Sequence, residues 1–182
     1  MTSCFATGTA DALFGDLGHD TGLGGEGSDS LFGNQGNDWL DGNEGSDSIA
    51  AGQDSDTVRG GKDNDFICGD RGSDALYGDL GDDTACGGSD SDLVFGNSGD
   101  DWIDGNQGED TVYGGEDSDT VRGGQGNDVL YGNAGSDALY GDPPRYNCRR
   151  RWKRHLFYWQ AQRCPRLSQH RWPDSGRCRL AH

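Results

Sequence analysis

A period of nine residues governs the sequence from Gly24 to Tyr140. The blocks read GGEGSDSLF, GNQGNDWLD, GNEGSDSIA, AGQDSDTVR, GGKDNDFIC, GDRGSDALY, GDLGDDTAC, GGSDSDLVF, GNSGDDWID, GNQGEDTVY, GGEDSDTVR, GGQGNDVLY and GNAGSDALY, which makes 13 copies without an insertion or deletion. Two looser blocks, at residues 6–14 and 15–23, precede them. So short a period, kept in phase over so many copies, favours a solenoid in which each unit contacts only its neighbours.

Each column of the block, counted from the first glycine of GGEGSDSLF, carries a restricted set of residues. Column one is Gly except at Ala51, and column two is always Gly, Asn or Asp, the residues that most readily adopt a positive φ. Column six is always Asp, and column eight is Leu, Ile, Val or, once, Ala85. Each block is therefore predicted to form a turn of about six residues and a strand of about three, whose middle side chain points inward.

One inward side chain per block is too little for a conventional core. We therefore expect two blocks to form each coil, so that the column-eight side chains stack as a thin apolar ladder between two parallel sheets. The predicted fold is all-β, a parallel β-roll solenoid over residues 6–142, looser at 6–23 and tight at 24–140. Residues 1–5 are assigned to an N-terminal leader, and residues 143–182 to a separate basic, non-repeat tail that is expected to be disordered.

Charge divides the chain at about Gly141. Residues 1–140 carry 30 acidic and four basic side chains, a net charge of −26, whereas residues 141–182 carry two acidic and 11 basic ones, a net charge of +9. With 31% hydrophobic residues and 33 glycines over the whole chain, the composition is that of a disordered protein. The acidic part therefore needs a bound species that neutralises it before it can fold.

The column-six aspartates supply ligands for such a species. Stacking of the coils places carboxylates about 4.8 Å apart, where they repel one another. A single Asp in a turn is usually explained by local hydrogen bonding, but 13 in phase favour a hard divalent cation held by carboxylate and carbonyl oxygens. Calcium suits such irregular oxygen cages better than magnesium, and we expect dissociation constants of about 10⁻⁴–10⁻³ M, the range of extracellular calcium modules.

The blocks resemble the RTX, or hemolysin-type, calcium-binding nonapeptide repeats, whose pattern is G-G-x-G-x-D-x-U-x. The resemblance implies a right-handed parallel β-roll with several Ca²⁺ ions between turns two blocks apart, the column-six Asp supplying side-chain oxygens. It also implies export by a type I secretion system and folding outside the cell, where calcium is abundant. In this family the export signal lies at the C-terminal end.

Four blocks depart from the family pattern by carrying Asp instead of Gly in column four. We interpret these residues as extra carboxylates at or near the metal, with strain of the turn as the alternative. The predicted metal ligands are Asp29, Asp38, Asp47, Asp56, Asp65, Asp74, Asp83, Asp92, Asp101, Asp110, Asp119, Asp128 and Asp137 in column six, Asp54, Asp63, Asp90 and Asp117 in column four, and Asp11 and Asp20 in the two looser blocks.

A longer repeat of 63 residues, or seven blocks, overlies the short one. Residues 33–79 and 96–142 are identical at 30 of 47 positions, which indicates a segmental duplication. Trp39 and Trp102 were copied together, so their recurrence is not independent evidence for a binding platform. We interpret them, and the tyrosines in column nine, as packing on the sheet faces rather than as sugar or lipid sites.

The tail breaks the pattern, because the duplication predicts LGDDTACGG after Asp142 where the chain reads PPRYNCRRRW. A forward shift of one base from Arg145 permits DTIAGGGGSDTFF, which continues the repeat. We therefore interpret residues 143–182 as a frameshift product, and we expect the export signal to be absent from this chain. The alternatives are a basic nucleic-acid arm, which the acidic roll opposes, a zinc site without the usual ligand spacing, and docking of the tail onto the roll.

No catalytic constellation is visible in residues 1–140, where His19 is the sole histidine, and we predict that the protein is not an enzyme. We expect no cleavable signal peptide, no membrane span, no nucleic-acid partner and no small-molecule substrate. The six cysteines lack close paired spacing and set no redox compartment. The expected function is calcium binding that drives the folding of a secreted structural module. An extracellular adhesion or surface protein, and the calcium module of a secreted hydrolase, remain as alternatives.

Overall fold

The computed structural model describes residues 3–6, 8, 10–141 and the backbone of 157–158. The rest of the tail, and with it the frameshift interpretation of residues 143–182, lies outside the described residues. Within them the chain forms 17 strands and no helix, so no described segment is a long apolar helix that could cross a membrane. The strands are β1 (Ser3–Phe5), β2 (Ala12–Phe14), β3 (Thr21–Glu26), β4 (Ser30–Gln35), β5 (Trp39–Glu44), β6 (Ser48–Gln53), β7 (Thr57–Lys62), β8 (Phe66–Arg71), β9 (Ala75–Leu80), β10 (Thr84–Ser89), β11 (Leu93–Ser98), β12 (Trp102–Gln107), β13 (Thr111–Glu116), β14 (Thr120–Gly124), β15 (Val129–Asn133), β16 (Ala138–Gly141) and β17 (Phe157–Tyr158).

The strands alternate between two sheets. The odd-numbered strands form a nine-stranded sheet and the even-numbered strands an eight-stranded sheet, each in sequence order. Every strand from β1 to β14 pairs in parallel with the strand two places later, and residues 18 apart face each other, as Val94 faces Val112. Among the described residues, one antiparallel pair joins β15 to β17 at the end of the odd sheet. This arrangement of two nine-residue blocks per coil confirms the predicted parallel β-roll.

The strands are longer, and the turns shorter, than the sequence predicts. Strands β3 to β13 have six residues each, because the backbone stays extended through columns one to three of the next block. Strand pairing omits column one, as between β10 and β12, where Cys86 faces Asp104 and Gly88 faces Asn106 but Gly87 has no counterpart. The turn is thus reduced to columns four to six, with positive φ at columns two and four, for example at Asn97 (φ 81°) and Gly99 (φ 128°).

The core is the predicted apolar ladder, with one side chain per block enclosed between the sheets. Its members are Leu13, Leu31, Leu40, Ile49, Val58, Ile67, Leu76, Ala85, Val94, Ile103, Val112, Val121 and Leu130 in column eight, together with Ala51. Gly22 interrupts the ladder, and a Cβ there would lie 2.9 Å from Cδ2 of Leu40. The neighbouring leucine therefore fills the gap that the glycine leaves.

The roll begins before the first block of the nine-residue pattern. Strand β1 pairs in parallel with β3, Ser3 facing Thr21, and so extends the roll into residues assigned to an N-terminal leader. Strand pairing uses backbone groups only, so residues without the Gly and Asp columns can still add a strand. No signal of composition marks this strand.

The outer faces of the sheets carry the aromatic residues. Because seven blocks equal three and a half coils, the duplicated copies lie on opposite sheets, with Trp39 in β5 and Trp102 in β12. The column-nine rings of Tyr77, Phe95, Tyr113 and Tyr131 stack in succession, with centroids 4.5–5.1 Å apart and planes within 4–6°. Packing on the sheet face, as predicted for Tyr77, Tyr113 and Tyr131, thus covers their ring faces, whereas Trp39, Trp102 and Tyr140 are exposed.

Candidate metal centre

The predicted aspartate ligands lie in two rows, one along each edge where the chain passes between the sheets. Aspartates that precede even-numbered strands form one row, and those that precede odd-numbered strands form the other. The members from Asp20 to Asp128 are buried, while Asp11 and Asp137, at the ends of their row, are half-buried. The looser first blocks therefore share the geometry of the tight ones.

One carboxylate oxygen of each column-six Asp is held by the neighbouring coil. The backbone N–H of each Asp from Asp11 to Asp119 donates to Oδ1 of the Asp 18 residues later, at 2.7–3.2 Å. The bond from Asp83 to Asp101, for example, measures 2.8 Å. This hydrogen bond orients the carboxylate and joins consecutive coils through the side chains that the sequence predicts as ligands.

The second carboxylate oxygen is buried and accepts no hydrogen bond. This holds for Oδ2 of Asp29, Asp38, Asp47, Asp56, Asp65, Asp74, Asp83, Asp92, Asp101, Asp110 and Asp119. A buried polar atom without a partner costs about 1–3 kcal/mol, and more when it is charged. A row of such oxygens is therefore unfavourable unless a cation or a proton neutralises it.

The column-one glycines leave room beside this oxygen. A Cβ placed on Gly24 would lie 2.6 Å from the carbonyl oxygen of Gly42, in the next coil, and 2.8 Å from Oδ2 of Asp29. On the opposite edge, a Cβ on Gly105 would lie 2.6 Å from the carbonyl oxygen of Gly123 and 2.5 Å from Oδ2 of Asp110. A carboxylate oxygen and a backbone carbonyl oxygen therefore border the same small space, which only glycine keeps open.

The sequence predicts backbone carbonyl oxygens as ligands beside the carboxylates, without saying which carbonyls they are. Within the described part of the chain, no three His, Cys, Asp or Glu side chains converge on one point. Each turn offers one column-six carboxylate, so further ligands have to come from backbone carbonyls, neutral side-chain oxygens or water. Oxygen donors without nitrogen or sulfur fit calcium, which accepts six to eight such ligands in irregular geometry. The recurrent column-one Gly is the sequence signal that locates this carbonyl.

The repeat itself identifies the family. A model described as the RTX calcium-binding nonapeptide repeat (4 copies) matches residues 14–49, 23–58, 50–85, 87–121 and 113–143, which together exceed half of the chain. The chain belongs to this RTX repeat family. Calcium binding and the β-roll follow from that membership. No curated protein matches the sequence.

Burial raises the pKa of the carboxyls inside the RTX roll. The pKa rises to about 6 for Asp47, Asp74, Asp83 and Asp119, to about 7 for Asp56, Asp65, Asp101 and Asp110, and to about 8 for Asp92. Loss of water is the largest cause, the backbone N–H hydrogen bond opposes it, and nearby carboxylates add to it. A cation beside Oδ2 would stabilise the charged form instead, so metal binding to the RTX roll would release protons.

The four column-four aspartates lie exposed at the outside of the turns. Their φ values of 70–78° are positive, as are those of the glycines in this column. Their charges reach the buried row: Asp54 raises the pKa of Asp38 and Asp56, and Asp90 likewise raises the pKa of its neighbours Asp74 and Asp92. In all four blocks column two is Gly, so each of these turns carries only one side chain at a positive φ. The extra carboxylates thus strengthen the negative potential at two successive turns.

Proposed function

We propose that this chain is a calcium-dependent folding module of a secreted protein, with no catalytic role. The observation that carries the proposal is the row of buried Oδ2 atoms without hydrogen-bond partners along each edge. In the absence of a cation the folded state has to protonate these carboxylates or bear their repulsion. Calcium removes that penalty in the folded state alone, so its binding free energy becomes folding free energy.

The residues of each turn have separate tasks in this account. Oδ2 of the column-six Asp and the carbonyl oxygen of a column-one Gly provide oxygen ligands, while Oδ1 is kept in place by the N–H of the preceding coil. The bound ion supplies the positive charge that the turn lacks. Since each coil contacts only its neighbours, occupancy of one turn favours ordering of the next coil, and folding spreads along the roll.

A secreted location matches this chemistry. Dissociation constants of about 10⁻⁴–10⁻³ M leave the sites empty where calcium is scarce and fill them in extracellular fluid. The net charge of −26 over residues 1–140 keeps the calcium-free chain expanded, a state that suits passage through a type I exporter. The stacked column-nine rings from Tyr77 to Tyr131 give no support to sugar-binding adhesion, because their faces already cover one another.

Small-angle scattering of the full chain tests the proposal. An unfolded chain of 182 residues has a radius of gyration of about 45 Å, and a compact one of about 16 Å. We expect a radius near the larger value in EGTA at pH 7.5, and a sharp fall between about 0.1 and 10 mM calcium. Magnesium at the same concentration, the matched control, should leave the chain expanded. A compact chain in EGTA at this pH would refute calcium-dependent folding.

A further inference from the structure

Two cysteines that look unrelated in the sequence are neighbours in the roll. Cys68 and Cys86 are 18 residues apart, which is one coil, and they face each other in register on the adjacent parallel strands β8 and β10. Both occupy column nine, whose side chains point away from the core. Close spacing in the sequence therefore does not reveal this pair, because a solenoid brings together residues one coil apart.

The geometry of the pair suits a disulfide. Neighbouring strands lie about 4.8 Å apart, within the Cα separation of 4.4–6.8 Å that disulfides span. Both thiols are free and half-buried, and the neighbouring thiol of Cys86 raises the pKa of Cys68, as does burial. Cys4, the other described free cysteine, lies at the start of the roll, where its thiol donates to the carbonyl oxygen of Phe14.

The surroundings of the pair are polar. Column nine continues along the same sheet with Asp104, which faces Cys86, and then Arg122. The guanidinium of Arg122 pairs with Asp104 at 3.0 Å, so this carboxylate is neutralised by the coil beyond it. The even sheet thus carries a short polar row where the odd sheet carries stacked rings, and the two thiols stand at its beginning.

We propose that Cys68 and Cys86 form a dithiol that glutathione-type disulfides oxidise to a bridge between two consecutive coils. One thiol loses its proton and attacks a sulfur of the small disulfide, and the first small thiolate leaves. The second cysteine, deprotonated in turn, attacks the mixed disulfide and releases the second thiolate. The two cysteines are oxidised by two electrons, and the small disulfide is reduced to two thiols that take up both protons.

The disulfide links the two ends of one coil. It closes the segment 68–86, which contains the turns of Asp74 and Asp83, one on each edge. A loop of this size lowers the unfolding equilibrium constant roughly 200-fold by restricting the unfolded chain. The bridged coil therefore has fewer unfolded conformations to leave when it refolds after calcium returns.

The test uses the full chain, oxidised with glutathione disulfide in 10 mM calcium and analysed by peptide mapping with mass spectrometry. The Cys68–Cys86 linkage should exceed every other pairing among the six cysteines, and it should persist in the matched control Cys4→Ser. The wild-type protein should then show a roughly 200-fold smaller unfolding constant when oxidised than when reduced, a difference that Cys68→Ser and Cys86→Ser abolish. Circular dichroism in calcium establishes that both variants fold.

Two outcomes would overturn the proposal. One is a Cys68–Cys86 linkage no more frequent than other cysteine pairs in protein that circular dichroism shows to be folded. The other is equal stability of the oxidised and the reduced wild type. Both readouts are independent of whether calcium is needed for folding, so the proposed dithiol and the proposed calcium switch can fail separately.

Discussion

Substitutions at Ala51 and Gly114 test whether the space beside a column-one residue holds calcium, because alanine fills this space and glycine leaves it open. They occupy column one of AGQDSDTVR and GGEDSDTVR, two blocks that correspond in the duplication and otherwise differ only in column three. Ala51 is fully buried, so its methyl group takes up the space that glycine leaves open elsewhere. A Cβ on Gly114 would meet Oδ2 of Asp119 and lie 2.9 Å from the carbonyl oxygen of Gly132. We predict that Gly114→Ala removes one bound calcium per chain and that Ala51→Gly adds one.

The magnitude follows from binding linkage. At a calcium concentration ten times the dissociation constant, one site stabilises the folded state by RT ln 11, about 1.4 kcal/mol. A change of backbone entropy on Ala-to-Gly exchange, about 0.5–1 kcal/mol, is independent of calcium. The slope of the unfolding free energy against the logarithm of calcium concentration therefore isolates the ion from the backbone effect.

The assay combines equilibrium dialysis with urea unfolding at several calcium concentrations. Ala50→Gly is the matched control, because Ala50 is adjacent in the same strand but lies in column nine, away from the turn. Its calcium count should equal that of the wild type. Unchanged counts and unchanged slopes in both Gly114→Ala and Ala51→Gly would refute the argument that the column-one space holds the ion.

Three further predictions concern charge, core and the extra carboxylates. The pKa values of the buried column-six carboxyls in the folded state, about 6–8, exceed the ordinary value of 3.8, so the calcium-free fold binds more protons than the unfolded chain. Its stability should therefore be greatest near pH 4 and fall as the pH rises to 8. An increase of β-structure with pH in EGTA would contradict this. Leu76→Ala, in the fully buried ladder, should lower the free energy of unfolding by about 2–5 kcal/mol in urea with calcium present. Leu80→Ala, at a residue 54% exposed, should change it by less than about 0.5 kcal/mol, and equal losses in the two variants would contradict a core formed by the ladder. Asp117→Gly should raise the calcium concentration needed for half-folding by more than its charge-matched neighbour Glu116→Gln, and equal midpoints would show that Asp117 acts only through net charge.

The period of the sequence was sufficient to predict the architecture. Column eight predicted the apolar ladder, and column six predicted the two rows of aspartates, because a solenoid repeats one local structure in every block. The columns could not show that the two oxygens of one column-six carboxylate have different contacts. Oδ1 accepts a backbone hydrogen bond and Oδ2 accepts none. This difference depends on the stacking of coils, which brings residues 18 apart into contact.

Other features were missed because they depend on backbone pairing or on the coil length. Strand β1 has no Gly or Asp columns, yet its backbone can pair with β3 as well as any other strand. Cys68 and Cys86 lie next to each other because one coil has 18 residues, whereas motif rules for cysteine consider only short spacings. The exposed position of Asp54 and its column-four counterparts follows from their positive φ, which the sequence suggested without locating the side chain.

Far-UV circular dichroism of the full chain during a calcium titration at pH 7.5 tests the central claim most directly. Bound calcium is measured on the same samples. We predict a coil spectrum in EGTA and a cooperative change to a β spectrum between about 0.1 and 10 mM calcium, with several ions bound per chain at the plateau. A β spectrum of equal intensity in EGTA at this pH, or folding without bound calcium, would contradict it.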